Sequence, residues 1–296
     1  MAHIDRSGLL LALGGFALLS VGDIVVKSMA GLWPGTAIAA LRYVFGAIGL
    51  GVILFLREGW AGFSFPRLRW QTLRGASVAL SAITGFTAFH LMPLSEATAI
   101  AFTSPMITAL LAAVMLGEPL RRETLIASLI AFFGVLLILR PNVALLGPVA
   151  ALPVFAATGM ALLIIANRKV AGRGSALSMQ FNVAAIGAVI LVIAAIAGHF
   201  SGIALFAVPA LPTVVLLKSA GIAVSASIAH ALIYLATTRT GAAAIAPMTY
   251  VQLLLAGGSG WILFGERPDL LAVVGALVIV TAGLYLWHSG RAPNAV

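Results

Sequence analysis

The sequence predicts an all-α integral membrane protein of ten transmembrane helices, and composition, spacing and charge placement carry that prediction. Of 296 residues, 62% are hydrophobic and 8% charged, whereas a soluble domain carries about 25% charged residues and cannot hide so much apolar surface in one core. Gly, Pro and charged residues divide the chain into runs of about 20 apolar residues, the length that crosses a hydrocarbon core as a helix. Lysines and arginines gather between alternate runs. With a cytoplasmic N-terminus, that side collects Arg6, Arg57, Arg67, Arg69, Arg74, Arg121, Arg122, Arg168, Lys169, Arg173, Arg239 and Arg291, against only Arg140 and Arg267 opposite. Both termini are therefore expected inside.

The first run, 7–29, ends in "LSVGDIVVKSM" and keeps two charges, Asp23 and Lys27, four residues apart. More spans follow at once and no small-residue cleavage site stands out, so it reads as a retained helix rather than a signal peptide. The second run, 34–56, opens at Pro34, and the third, 73–91, follows "REGWAGFSFPRLRWQT". Runs at 95–117 and 122–139 complete a first half, and 147–166, 175–197, 213–236, 242–264 and 269–287 form a second. The longest connections are still loops, which leaves no room for a soluble catalytic domain.

The two halves echo each other. "AVMLGEPLRRETLIASLIAFFGVLLILRP" is answered by "GWILFGERPDLLAVVGALVIVTAGLYLWHS", and the pairs Gly117-Glu118 and Gly265-Glu266 stand 148 residues apart, half the chain. Each pair ends the fourth helix of a five-helix half. An odd helix count turns the second half upside down, so Glu118 is expected inside and Glu266 outside. The expected halves are 1–141 and 142–296, two inverted repeats of the kind that rock around a central site.

Several stretches carry a resemblance to a known family: "VVKSMAGLWPGTAIAALRYVFGAIGL", "MPLSEATAIAFTSPMITALLAAVMLGEPL" and "AAAIAPMTYVQLLLAGGSGWILFGERPDLLAVVGALVI". In the order and spacing of these segments the chain resembles the EamA family of the drug/metabolite transporter superfamily. Lys27, Pro34, Arg42, Ser104-Pro105 and the two Gly-Glu ends fall at matching positions. The resemblance implies ten helices in two inverted halves, a central cavity and transport of small organic solutes. With the lack of an organellar signal, it also implies a bacterial inner membrane.

A charge deep in a bilayer costs roughly 2.5–3.5 kcal/mol on insertion scales, so a retained one has a partner or a task. Asp23 lies nine residues before the turn near Leu32 and Arg42 ten after it, which puts both about 14 Å from the turn at 1.5 Å per residue. They are natural partners, and Lys27, one helical turn from Asp23, competes for the same carboxylate. The trio is either a staple between the first two helices, with Lys27 snorkelling outward, or a cluster that leaves one positive charge facing a cavity. Lys218, in the outer half of the eighth helix, either snorkels or adds a second cation. Such a cavity would favour a solute bearing a carboxylate or phosphate. Ser227, His230 and Tyr234 share one stripe of that helix, and a polar stripe in lipid must face protein or water. His90 reads as interfacial.

Pro105 in "AFTSPMI" and Pro247 in "AIAPMTYVQ" each remove a helical hydrogen bond and free a carbonyl one turn earlier. Broken helices near the midplane hold the sites of such transporters, so Thr103, Ser104, Tyr250 and Gln252 are site candidates, with a packing kink as the alternative. Glu118 and Glu266, at helix ends, are expected to cap and hold neighbouring segments. With no cysteine, five scattered histidines and neither a phosphate loop nor an HExxH pair, no metal, cofactor or ATP-driven step is expected. The basic residues lie singly or in small groups between apolar runs, which argues against nucleic acid. The expected partners are a small-molecule substrate and the lipid bilayer. A secondary transporter or exchanger working by alternating access fits best. A lipid-modifying enzyme would need clustered catalytic residues at one face, and a non-transporting scaffold would show no solute flux.

Overall fold

A computed structural model describes residues 6–117, 122–139, 147–240 and 246–289. These are helical, with no strand among the described residues: α1 Arg6–Lys27, α2 Gly35–Glu58, α3 Leu68–Leu91, α4 Leu94–Ala101, α5 Ser104–Leu116, α6 Arg122–Leu139, α7 Leu152–Val170, α8 Ala176–His199, α9 Thr213–Thr240, α10 Val251–Phe264 and α11 Leu270–Ser289. Six apolar stretches are long enough to cross a membrane unaided: Ser7–Lys27, Gly35–Gly62, Leu94–Leu116, Gly147–Val170, Ala176–His199 and Thr213–Ile233. Three shorter apolar helices join them, Leu125–Ile138, Met248–Phe264 and Leu270–Tyr285. The outer surface is apolar, with Leu56, Leu254 and Ile262 each about three-quarters exposed. A water-soluble protein does not present such a surface, because large apolar patches drive association.

α3 departs from the expected apolar span. It begins five residues earlier than the sequence suggests and carries Gln71, Arg74, Ser77, Thr84 and Thr87, all buried. It tolerates them because α2, α7 and α8 wrap it, so its polar groups meet protein rather than lipid.

The fourth span is broken into α4 and α5. Pro105, in the first turn of α5, lacks the N–H that would reach the Ala101 carbonyl, and the chain passes through a tight turn in which Thr103 N donates to Ile100 O at 3.0 Å. A 3-10 turn at Ala246–Tyr250 containing Pro247 leads into α10. α5 and α10 end alike, on Gly117 at φ +69° and Gly265 at φ +66°. That left-handed geometry strains any residue with a Cβ.

Four helix pairs dominate the packing: α1 on α9, α3 on α7, α2 on α8 and α6 on α11. One core gathers Val26, Met29, Ile38, Phe86, Leu191 and Ile222, and a second gathers Ala88, Met92, Ile100, Val135, Ile138 and Ile279. α6 and α11 approach most closely at Gly134 and Gly275, where a Cβ on Gly134 would sit 2.8 Å from the Gly275 carbonyl oxygen. Gly134→Ala is therefore expected to cost about 1–3 kcal/mol through overpacking. Gly49→Ala, where a Cβ meets nothing within 4 Å, should be neutral. Melting of the two purified variants checks this, and equal midpoints would remove the close crossing as a constraint.

Candidate functional site

The second turn of α2 carries Arg42 and Tyr43 to the edge of a cavity of about 290 Å³. α8 contributes Gln180 to its lining, and α9 contributes Ser227 and His230. Small residues make the space, Gly46, Ala184, Ala223, Ala226 and Ala231. The lining runs from the level of Arg42 to Leu50 on α2 and to exposed Ala176, the first residue of α8. The cavity thus lies in the half of the bundle that ends in Arg57, Arg67 and Lys169.

Arg42 is half-buried, with its guanidinium carbon 5.3 Å from the Phe86 ring centre and 5.7 Å from that of Tyr43. Asp23 and His230 both lie within electrostatic range of it. Yet among the described residues Arg42 makes no hydrogen bond and no ion pair. A guanidinium has five N–H donors and no way to lose its charge, so the cavity holds a fixed cation with unused donors beside aromatic faces.

The Asp23–Arg42 pair expected from depth is not closed, since no nitrogen–oxygen distance between them falls within 4.0 Å. Lys27 does not compete for Asp23 either. Its ammonium pairs with Glu266 and donates to the Met92 carbonyl at 2.7 Å. The reason is reach: Lys27 is the last residue of α1, and the chain leaving α10 at Gly265 turns the Glu266 carboxylate onto it. The other oxygen of Glu266 accepts from the free N–H of Leu94, the first residue of α4, at 2.8 Å. One carboxylate therefore ties α1, α4 and the end of α10.

Other contacts close the same end. Lys218 donates to Ser28 Oγ at 2.8 Å, and His90 Nε2 lies 3.1 Å from the Val26 carbonyl. Trp33 Nε1 donates to the Pro209 carbonyl at 3.1 Å. Lys27 and Lys218 are thus engaged away from the cavity lining rather than in it.

The proline-break candidates are also outside the lining. Thr103 is buried and donates to Ile100 O at 2.8 Å, and Ser104 is buried with its hydroxyl unpartnered. The Tyr250 ring packs edge-on to Phe102 with centroids 5.4 Å apart, and the Gln252 carbonyl accepts a long 3.4 Å bond from Ser20. Glu118 lies outside the described residues, as do the side chains of Tyr234 and Pro247.

Of the sequence candidates, the cavity unites Arg42, Ser227 and His230, and it adds Tyr43 and Gln180. Gln180 could have been found: Ser178, Gln180 and Asn182 interrupt an otherwise apolar run. A second acid is buried in the bundle, Glu96 in the first turn of α4. Arg74, expected at the cytoplasmic surface, is only 5% exposed and is held by Asn167 Oδ1 at 2.6 Å and by Gln71. Among the described residues no three His, Asp or Glu side chains gather as metal ligands.

An apolar helical bundle around a small, mostly apolar cavity with a few polar side chains, tied at one end by a shared carboxylate, is the build of a multi-pass membrane protein that handles small solutes. Residues 6–140 match the model of the EamA-like transporter family, and relatives that span nearly the whole chain are transporters. It is 27% identical to the S-adenosylmethionine uptake transporter of Rickettsia bellii, over 92% of this chain and 90% of that one. To the pseudopaline exporter CntI of Pseudomonas aeruginosa it is 26% identical, over 95% and 96%. To the riboflavin transporter of Rhizobium johnstonii it is 27% identical, over 74% and 70%. A crystal structure sharing 18% identity superposes with a TM-score of 0.61 over 97% of this chain and 99% of the other, a likeness of fold.

Proposed function

We propose that this chain is a secondary transporter or exchanger that moves a small organic metabolite bearing a carboxylate or phosphate across a bacterial inner membrane by alternating access. Arg42 carries the proposal: a permanent cation with five donors lines the cavity and, among the described residues, makes no hydrogen bond and no ion pair, so its donors are left for an anionic group of the cargo. A planar fork of this kind takes a carboxylate or phosphate through paired bonds. Tyr43, Gln180, Ser227 and His230 offer the remaining hydrogen bonds, and Asp23 balances the guanidinium while the cavity is empty. The relatives named for S-adenosylmethionine, pseudopaline and riboflavin support a small organic cargo.

The frame of this mechanism is ten spans in two inverted halves, 1–141 and 142–296, with both termini cytoplasmic. The packing supports it. Exchanging the halves turns the pair of first and eighth spans, α1 and α9, into the pair of sixth and third, α7 and α3, and leaves α2 with α8 and α6 with α11. A twofold axis in the membrane plane has that effect. In this frame the Glu266 end is external and closed, and the cavity faces the cytoplasm. Opening the other way parts Lys27 from Glu266.

A stabilisation screen on the purified chain tests the reading, because a ligand bound only by the folded state at a hundred times its Kd adds about 2.7 kcal/mol. Carboxylates and phosphate esters are expected to raise the melting point and their amides or alcohols to leave it unchanged. Compounds that stabilise should enter proteoliposomes holding only this chain. Stabilisation and flux confined to uncharged or cationic solutes would overturn the proposal.

A further inference from the structure

A second cleft, of about 600 Å³, opens at the arginine-rich end between the start of α3 and the end of α7. It shares no lining residue with the Arg42 cavity. Arg67, Arg69 and Lys169 line it together with Leu68 and Trp70. Among the described residues, none of the three cations has a carboxylate within 4.0 Å. Arg69 and Lys169 instead lie 5.9 Å and 5.8 Å from the Trp70 ring centre. Like charges brought together around one ring repel, and no ion pair among the described residues offsets them.

The backbone adds to this. Arg67 holds φ at +54°, the one left-handed residue other than glycine among those described, a conformation that disfavours a side chain. From it Nη1 donates to the Lys169 carbonyl at 2.6 Å, which holds the loop before α3 against the end of α7. The same turn starts a 24-residue helix with no side-chain cap, so the positive end of α3 points into the basic cleft. Leu68 in its lining is 60% exposed, and Phe65, three residues earlier in the chain, is 39% exposed. An anion site with apolar residues at its rim, an interfacial tryptophan and basic residues from two helices matches a membrane-surface headgroup better than a solute from bulk water.

We propose that this cleft binds the phosphate of an anionic phospholipid headgroup. The phosphate sits among Arg67, Arg69 and Lys169, bridging α3 and α7, and the acyl glycerol lies against Leu68. A free phosphate ester shares the headgroup's chemistry but not the contact with Leu68.

Native mass spectrometry of the full chain in an uncharged detergent separates these sources. The probes are dioctanoyl phosphatidylglycerol, dioctanoyl phosphatidylcholine and glycerol 3-phosphate. One phosphatidylglycerol per chain is expected to be retained at concentrations where neither other probe binds. Each basic residue near an anionic surface is worth about a fivefold change in affinity, so Arg69→Gln with Lys169→Gln should weaken retention about thirtyfold. Arg57→Gln with Arg173→Gln removes equal charge from the same end outside the cleft and should leave retention unchanged. Arg69→Gln alone, at an exposed position, supplies a fivefold loss should the double variant fold poorly. Equal losses in the two double variants would reduce the effect to general surface charge and overturn the site. Equal binding of glycerol 3-phosphate would overturn the lipid as its ligand.

Discussion

Arg42→Gln is expected to weaken binding of the transported anion by about thirtyfold to several thousandfold, the equivalent of the 2–5 kcal/mol lost when one partner of a desolvated charge pair is truncated. Folded protein should change little. The sequence alone suggests otherwise, since a staple between Asp23 and Arg42 would also hold the first two helices together. In the structure Arg42 has no hydrogen bond or ion pair to lose among the described residues, and α2 is held by α8, α9 and α3 through apolar packing. Arg42→Lys should fall between, because the charge remains while the planar fork is lost. Ligand titration against melting curves for the three proteins checks the separation. Affinity unchanged in Arg42→Gln would remove this residue from the site, and a melting point that falls in step with affinity would restore the staple.

The long apolar helices were legible because hydrocarbon enforces length and apolarity together. The second run was expected at 34–56 and forms Gly35–Glu58; the seventh was expected at 175–197 and forms Ala176–His199. The start of α3 was not legible, since "RLRWQTLRG" reads as loop by its charges and becomes helix only where α7 and α8 cover it. Depth was legible too, and it set Asp23 and Arg42 at one level within electrostatic range. Azimuth was not. Membrane helices here are apolar on nearly every face, so no amphipathic stripe marks the side that Tyr43 or Gln180 presents to a cavity. Partner choice was the least legible. Whether Lys27 meets Asp23, one turn away, or Glu266, in the other half, depends on where α10 lies against α1 and α4.

That choice sets up the other large effect. Glu266 and Lys27 are only 14% and 10% exposed at their side chains, and removing one member of a buried pair strands the other at a cost of about 3–5 kcal/mol. Glu266→Gln leaves an amide oxygen that can still accept from Leu94, so the start of α4 stays capped while Lys27 loses its counter-charge and keeps the Met92 carbonyl and the Phe264 ring. The loss then reports the ion pair rather than the cap. Lys27→Met should cost a similar amount by stranding the carboxylate. The two together should cost clearly less than their sum, because neither charge is then orphaned. If the pair also holds its end of the bundle closed, breaking it favours the opposite arrangement, and buried residues there become reachable. Met92 is 3% exposed beside the pair, and the chain has no cysteine of its own. A Met92→Cys protein should therefore react several-fold faster with an impermeant thiol reagent once Glu266→Gln is added. Strict additivity of the two single losses would show that the charges do not depend on each other. An unchanged labelling rate would leave Glu266 as a fastening between helices in every state, with no part in opening and closing that end.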